Sequence, residues 1–325
     1  MDSSLAISNL TVVGPHPHPY LRGVGITLPK GAIAGVVGES GSGKTMSAMA
    51  AMGLLPKGFH ISSGSITLGP DKVELVGMPE KERQKIRGRR ISIALQEPMS
   101  SLDPLVKVGK QIAEPLYIHG LAKNRAQGIA MAKAAMDLAG LSGIDSIESY
   151  YAHQLSGGMR QRVILAMALA CSPEVLIADE PTSSIDAALK SKILETLKSL
   201  NKKTGLAILL ITHDISVVRS ICDIAFVMYS GMVIESGKAA DVCDRPKHEY
   251  TKGLLGALPS ADKKGSLLPT IPREAVLGEV PLGCPFANRC KMSRPICHMA
   301  LPKMHIEGDH MCLCHFAKED SRPRA

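Results

Sequence analysis

The chain has 325 residues, 45% of them hydrophobic and 21% charged, with a net charge of +8, which is enough to bury a large core and an appended piece. Its apolar runs, at 32–37, 175–178 and 206–211, fall far short of the roughly 20 residues that cross a bilayer, which excludes a helical membrane span. Aromatic residues make up 3% and tryptophan is absent, so stacking platforms are scarce and no nucleic-acid partner is expected.

The start, Met1-Asp2-Ser3-Ser4, lacks the basic and then apolar order of a secretory signal, so the chain is expected to stay in the cytoplasm. Strands are predicted at 5–13 and 25–28. A continuous apolar strand at 32–37 then runs straight into Gly38-Glu39-Ser40-Gly41-Ser42-Gly43-Lys44-Thr45. A helix rich in Ala and Met begins near Lys44, and Pro56 closes the segment. Further strand and turn is expected at 64–76. The densest basic cluster, at 81–90, reads as a solvated helix face, and a strand at 91–95 leads into Gln96.

From 106 to about 151 the pattern is helical, clearest at 126–139, and looks like an insertion into an α/β core. A helix is expected at 159–170. Strands at 175–179, 206–212 and 224–228 then alternate with helices at 187–200 and 215–221, as in a mainly parallel sheet. Beyond about residue 240, prolines such as Pro246, Pro259, Pro269 and Pro285 break up the periodicity and mark a separate, loop-rich extension. The expected division is a nucleotide-binding unit at 1–240, with a helical subdomain at about 97–165, and an extension at 241–325.

Residues 38–45 satisfy the G-x-x-x-x-G-K-[ST] pattern, with the strand before and helix after that the pattern requires. Its glycines let backbone N–H groups face phosphates, Lys44 would neutralise β and γ phosphate charge, and the Thr45 hydroxyl would ligate Mg²⁺. Asp179 and Glu180 end a buried strand at the carboxyl edge of the sheet, where ligands bind. There Asp179 is placed to hold Mg²⁺ and Glu180 to orient or deprotonate the attacking water. His213 follows a second apolar strand and should emerge at the same edge as a hydrogen-bond donor to the γ-phosphate. Gln96, after strand 91–95, is expected to reach Mg²⁺ or the nucleophilic water.

Ser156-Gly157-Gly158 begins a helix and offers a hydroxyl and free N–H groups at its positive end, a second anion site. One phosphate chain cannot occupy two such cradles on opposite subdomains of one monomer, so the second is expected to serve a partner's nucleotide.

These motifs resemble those of an ABC transporter ATP-binding subunit, and the likeness covers nearly the whole chain. The family signature is at 155–161, including Gln161. The resemblance implies ATP and Mg²⁺ as cofactors, Gln96 as the Q-loop glutamine, Asp186 in the D-loop and His213 as the switch histidine. Tyr20 sits where the family has an adenine-stacking aromatic. Leu95 and Ser184-Ile185 depart from the commoner residues without removing a catalytic group.

A narrower likeness rests on residues 96–104, 153–159 and 246–251, which are similar to the oligopeptide, dipeptide and nickel importer ATPases. It implies a second ATPase subunit, related or identical, two membrane-spanning permease subunits and a substrate-binding protein on the far side of the membrane. The expected place is peripheral, on the cytoplasmic face of the inner membrane. Peptide import is the first expectation, with nickel or another solute as the alternative and a non-transport ABC ATPase more remote. The tail cysteines resemble that subfamily's extension, associated in some members with an iron–sulfur cluster. Cys284, Cys290, Cys297 and Cys314 would hold either [4Fe-4S] or zinc, with Cys314 chosen over Cys312 by family register.

Overall fold

The computed structural model describes residues 2–15, 18–95, 101–183, 186–259 and 282–318; Gln96 and Ser184-Ile185 lie outside these. The first strands are β1 (Ser3–Val13), β2 (Leu21–Pro29), β3 (Ile33–Val37), β4 (His60–Leu68) and β5 (Val73–Glu74). They are followed by β6 (Ile91–Ala94), β7 (Val175–Asp179), β8 (Ala207–Thr212), β9 (Ile224–Tyr229) and β10 (Met232–Lys238). The last two are β11 (His305–Glu307) and β12 (His310–Cys312).

Strand chemistry sorts these into two sheets. The first is antiparallel, in the order β2-β1-β4-β5. In β1 the buried residues Leu5, Ile7, Leu10 and Val12 alternate until 8–9, where Asn9 takes a φ of 48° and the register with both neighbours slips. Such a bulge keeps one apolar face inward across an odd spacing. The second sheet runs β11-β12-β10-β9-β3-β8-β7-β6, with β6, β7, β8, β3 and β9 parallel. Every residue of β3, β7 and β8 is buried, the pattern of strands covered on both faces.

The helices that matter for the site follow strand ends or form the inserted bundle. They are α1 (Lys44–Met52), α2 (Glu80–Ile86), α3 (Val108–Ile118), α4 (Arg125–Leu138), α5 (Gly157–Leu169) and α6 (Ala187–Thr204). α7 (Ile215–Ile221), α8 (Ala239–Asp244), α9 (Glu249–Gly256) and α10 (Pro295–Met299) complete the described set. Helix α1 ends at Gly53, whose φ of 62° supplies a left-handed cap, three residues ahead of the Pro56 expected to stop it.

The basic cluster is only partly helical. Helix α2 stops at Ile86 because Arg87 turns extended, with its guanidinium forked onto Glu80 at 2.7 Å and its Nε donating to the Met52 carbonyl at 2.8 Å. Arg90 pairs with both Asp71 and Glu174. Much of this positive charge therefore ties the turn before β6 to its neighbours.

The extension is less separate than its prolines suggest. Strand β12 pairs antiparallel with β10 and so carries the main sheet onward. Glu235, fully buried on β10, accepts the backbone N–H groups of Lys247 (2.6 Å) and His248 (3.0 Å) and faces His310 Nε2 at 2.7 Å. A buried carboxylate with three partners fixes the extension to the sheet, since leaving any of them unmet is costly.

Candidate active site

The phosphate loop leaves β3 at the middle of the parallel sheet and ends in α1. Gly43, with φ 102°, forms the turn into the helix, and a Cβ there would stand 2.6 Å from Leu21 Cδ2, so no other residue fits without displacing the core. Lys44 Nζ is buried and donates to the carbonyls of Gly38 (2.8 Å) and Glu39 (2.9 Å). Burial lowers its pKa, opposed by the charges of Glu180, Asp179 and Glu39. The Ser42 hydroxyl is buried with no hydrogen-bond partner. A cationic amine, an orphaned hydroxyl and the free N–H groups of α1 together suit a polyphosphate.

The acids come from the neighbouring strands. Strand β8 lies between β3 and β7, so the loop, His213 and the Asp179–Glu180 pair emerge at one sheet edge. Thr45 Oγ1 donates to Asp179 Oδ1 at 3.3 Å, joining the loop to β7. Burial pushes the Asp179 pKa up, partly offset by that hydrogen bond. These two oxygen ligands fit a hard divalent cation such as Mg²⁺.

Glu180 adopts a left-handed φ of 50°, rare for a side chain of its size and a store of strain at the strand end. Its N–H donates to the Ile211 carbonyl at 2.9 Å, and its own carbonyl accepts from Ser183 N–H (3.1 Å) and Oγ (2.9 Å). These bonds hold the turn that aims its carboxylate at His213, whose Nδ1 lies 2.8 and 3.0 Å from the two oxygens. Asp179 and Glu180 are buried while the His213 side chain is largely exposed.

The serine–glycine corner lies elsewhere. Ser156 caps α5 and accepts from Met159 N–H at 3.3 Å. Gly158 is close-packed, because a Cβ would fall 2.4 Å from Leu189 Cδ2 on α6. Helix α5 packs on β6, three strand spacings from β3, about 14 Å at the usual separation. Gln161 is buried and lines a small internal cavity with Ala94, Ala178 and Pro181. Asp186 caps α6 through Leu189 N–H (2.9 Å), and the Tyr20 ring meets Phe59 edge-on at 4.7 Å.

In the extension, Cys284 donates its N–H to the Cys297 carbonyl at 2.7 Å. Burial pushes the Cys284 and Cys290 thiols up to about 11, and nearby thiols add to it: Cys314 and Cys297 act on Cys284, and Cys284 and Cys314 on Cys290. Cys312 is buried on β12, where burial pushes its thiol pKa up and the neighbouring Glu235 and Cys314 add to the rise. Among the described residues no three His, Cys, Asp or Glu side chains converge closely enough to share one metal ion.

Sequence reading missed two contacts to the loop, Arg289 on the Glu39 carboxylate and Tyr250 on the Glu39 N–H. They lie 250 and 211 residues from Glu39, a separation that no periodicity reveals. The one hint was an acid inside a phosphate loop, which calls for a counter-charge.

A phosphate loop, paired acids and a histidine on one edge of a parallel sheet define a P-loop nucleotide hydrolase. Residues 21–183 match the ABC transporter family, and residues 234–297 match the oligopeptide/dipeptide transporter C-terminal region. The oligopeptide transport ATP-binding protein OppD of Salmonella typhimurium is 42% identical over 278 residues, covering 85% of this chain and 82% of that protein. OppD of Escherichia coli is 40% identical over 319 residues (96% and 93%), and the dipeptide transport ATP-binding protein DppD of Bacillus subtilis is 40% identical over 294 residues (89% and 86%).

Among solved structures, the dimeric post-hydrolysis state of the ATP-binding cassette MJ0796 bound to ADP and Pi superposes with a TM-score of 0.63 at 26% identity, covering 72% of this chain and 98% of that one. CbiO1 from Clostridium perfringens gives 0.64 at 27% identity, covering 75% and 92%. The chain belongs to the ABC transporter ATP-binding family, in its oligopeptide and dipeptide branch. It is an ATPase.

Proposed function

We propose that the chain is the ATP-hydrolysing subunit of an importer for di- or oligopeptides, seated peripherally on the cytoplasmic face of the inner membrane. Its partners in this reading are two membrane-spanning permease subunits, a second ATPase subunit, related or identical, and a substrate-binding protein on the far side. The observation that carries the reading is that both the cassette and the extension are similar to proteins named for oligopeptide and dipeptide transport. No helix among the described residues is long and apolar enough to cross a membrane. We divide the chain at 240 and 241 into cassette and extension, with a helical subdomain at about 97–165.

The chemistry follows from the side chains. Lys44 and the loop N–H groups grip β and γ phosphates, with Tyr20 against adenine. Thr45 and Asp179, with Gln96, would hold Mg²⁺, which would supply charge neutralisation at the phosphates. Glu180 takes the proton of the attacking water, and the His213 contact fixes the carboxylate that does so. Ser156, Gly157 and Gly158 complete the site of a neighbouring cassette, with Gln161 supporting the corner from inside and Asp186 facing the partner. The dimeric form of the related MJ0796 cassette supports this pairing.

We propose that Cys284, Cys290, Cys297 and Cys314 hold a [4Fe-4S] cluster, with a single zinc ion as the alternative. Iron and acid-labile sulfide in anaerobically purified protein test this. Both should be present in the wild type and lost in Cys290→Ser; protein free of iron from the start contradicts it.

Uptake by cells expressing the chain with its permease and binding protein tests the cargo. Labelled di- and oligopeptides should enter, and entry should stop with Glu180→Gln. Uptake of Ni²⁺ without peptide would overturn the peptide reading.

A further inference from the structure

Glu39 is the junction of three elements. Its carbonyl accepts from Lys44 Nζ at 2.9 Å, its N–H donates to the Tyr250 hydroxyl at 2.8 Å, and its carboxylate receives both Arg289 Nη atoms at 2.8 Å. The last two partners come from the extension, Tyr250 on α9 and Arg289 one residue before Cys290. The Arg289 side chain is 8% exposed and is itself braced: it donates to the Tyr229 hydroxyl at 3.0 Å and lies over the Tyr229 and Phe286 rings at 5.5 and 5.7 Å.

Two consequences follow from this geometry. A planar fork on a carboxylate fixes orientation as well as distance, so the second residue of the phosphate loop is clamped from outside the cassette. The fork also neutralises a negative charge that would otherwise stand beside an incoming triphosphate, where like charges repel strongly. We propose that Arg289 is a positioning residue for the nucleotide: by clamping and neutralising Glu39 it holds the phosphate loop, and with it the Lys44 amine, ready for ATP, which makes the extension part of the ATP site. This rests on the assignment of residues 38–45 as the ATP phosphate site.

The test is the Kd of the full-length chain for a non-hydrolysable Mg-ATP analogue, with the melting temperature of each variant measured alongside. R289M leaves the Glu39 carboxylate unpaired and should raise Kd about tenfold, about 1.4 kcal/mol. E39Q removes that unpaired charge, so R289M/E39Q should recover to within about threefold of wild type, a non-additive rescue expected of residues in contact. R289K keeps the charge without the fork and should fall between wild type and R289M.

A Kd for R289M within about twofold of wild type, or a double variant that binds no better than R289M, overturns the proposal. A purely structural arginine would lower the melting temperature without rescue by E39Q. Should R289M not fold, R289K with and without E39Q decides by the same criterion. Failure of the wild type to bind the analogue would refute the phosphate-site assignment itself, a result distinct from unchanged variants.

Discussion

Glu180 joins a backbone conformation few side chains tolerate to a carboxylate held by His213, and in the proposed function both features serve the attacking water. Replacing it by glutamine keeps shape and hydrogen bonding but removes the base. Glu180→Gln should lower steady-state ATP turnover by about 10²-fold or more while leaving Mg-ATP binding within a few-fold of wild type. Turnover near wild type would show that the proton goes elsewhere. His213→Ala frees the carboxylate that Nδ1 orients and should reduce kcat more than it changes the KM for ATP, because the contact places the base and not the nucleotide. The loop, the two acids and His213 were legible in the sequence because each sits at a strand end, where a run of buried residues shows which edge it reaches. Arg289 was not, because its role depends on a fold-level meeting with Glu39 across most of the chain.

At the scale of elements, the parallel strands announced themselves by continuous burial, and β12 did not. Three residues, His310-Met311-Cys312, are too few to carry a period, and their pairing with β10 is fixed by Glu235 and not by pattern. Helix α9 is the extension's other anchor. His248 caps it by accepting Tyr250 N–H on Nδ1 at 3.1 Å, and so aims Tyr250 at the phosphate loop.

His248 is fully enclosed, and burial pushes its pKa down to about 4 from 6.5, with Glu235 and Glu249 opposing and Lys252 adding to the fall. The unfolded chain therefore takes up a proton on this ring below pH 6.5 that the folded chain refuses until about pH 4. Stability should fall as pH drops through that window, by up to about 3 kcal/mol from this group, and recover as pH rises. His248→Asn keeps an acceptor at the cap and removes the titration. Denaturant melts across the window should show a shallower pH slope for the variant; equal slopes would mean the ring is protonated within the fold.

On the scale of the whole molecule, the two glycine-rich helix starts lie in different places. The phosphate loop follows β3 in the middle of the main sheet, whereas the Ser156 corner begins α5 beside β6 at its edge. The sequence predicted a helix start at each place, and both are found; the use of the second by a partner's nucleotide belongs to the proposed function. Gln161 shows the limit of such motif reading: it belongs to the signature by position, yet its side chain is buried against β6 and β7 and not offered to a partner.

A face-to-face pair of cassettes would bring each exposed Ser156 to the other's nucleotide, so Ser156→Arg, which adds bulk and charge to that corner, should abolish cooperative turnover while leaving single-chain ATP binding intact. Retained cooperativity would place the corner outside the interface.

The most direct measurement is the sedimentation mass of the Glu180→Gln chain, alone and mixed with its sister ATPase, with and without saturating Mg-ATP. A mass near two chains that appears only with Mg-ATP, in either sample, is the expected result. A single-chain mass in both samples at saturation would contradict a site shared between two cassettes.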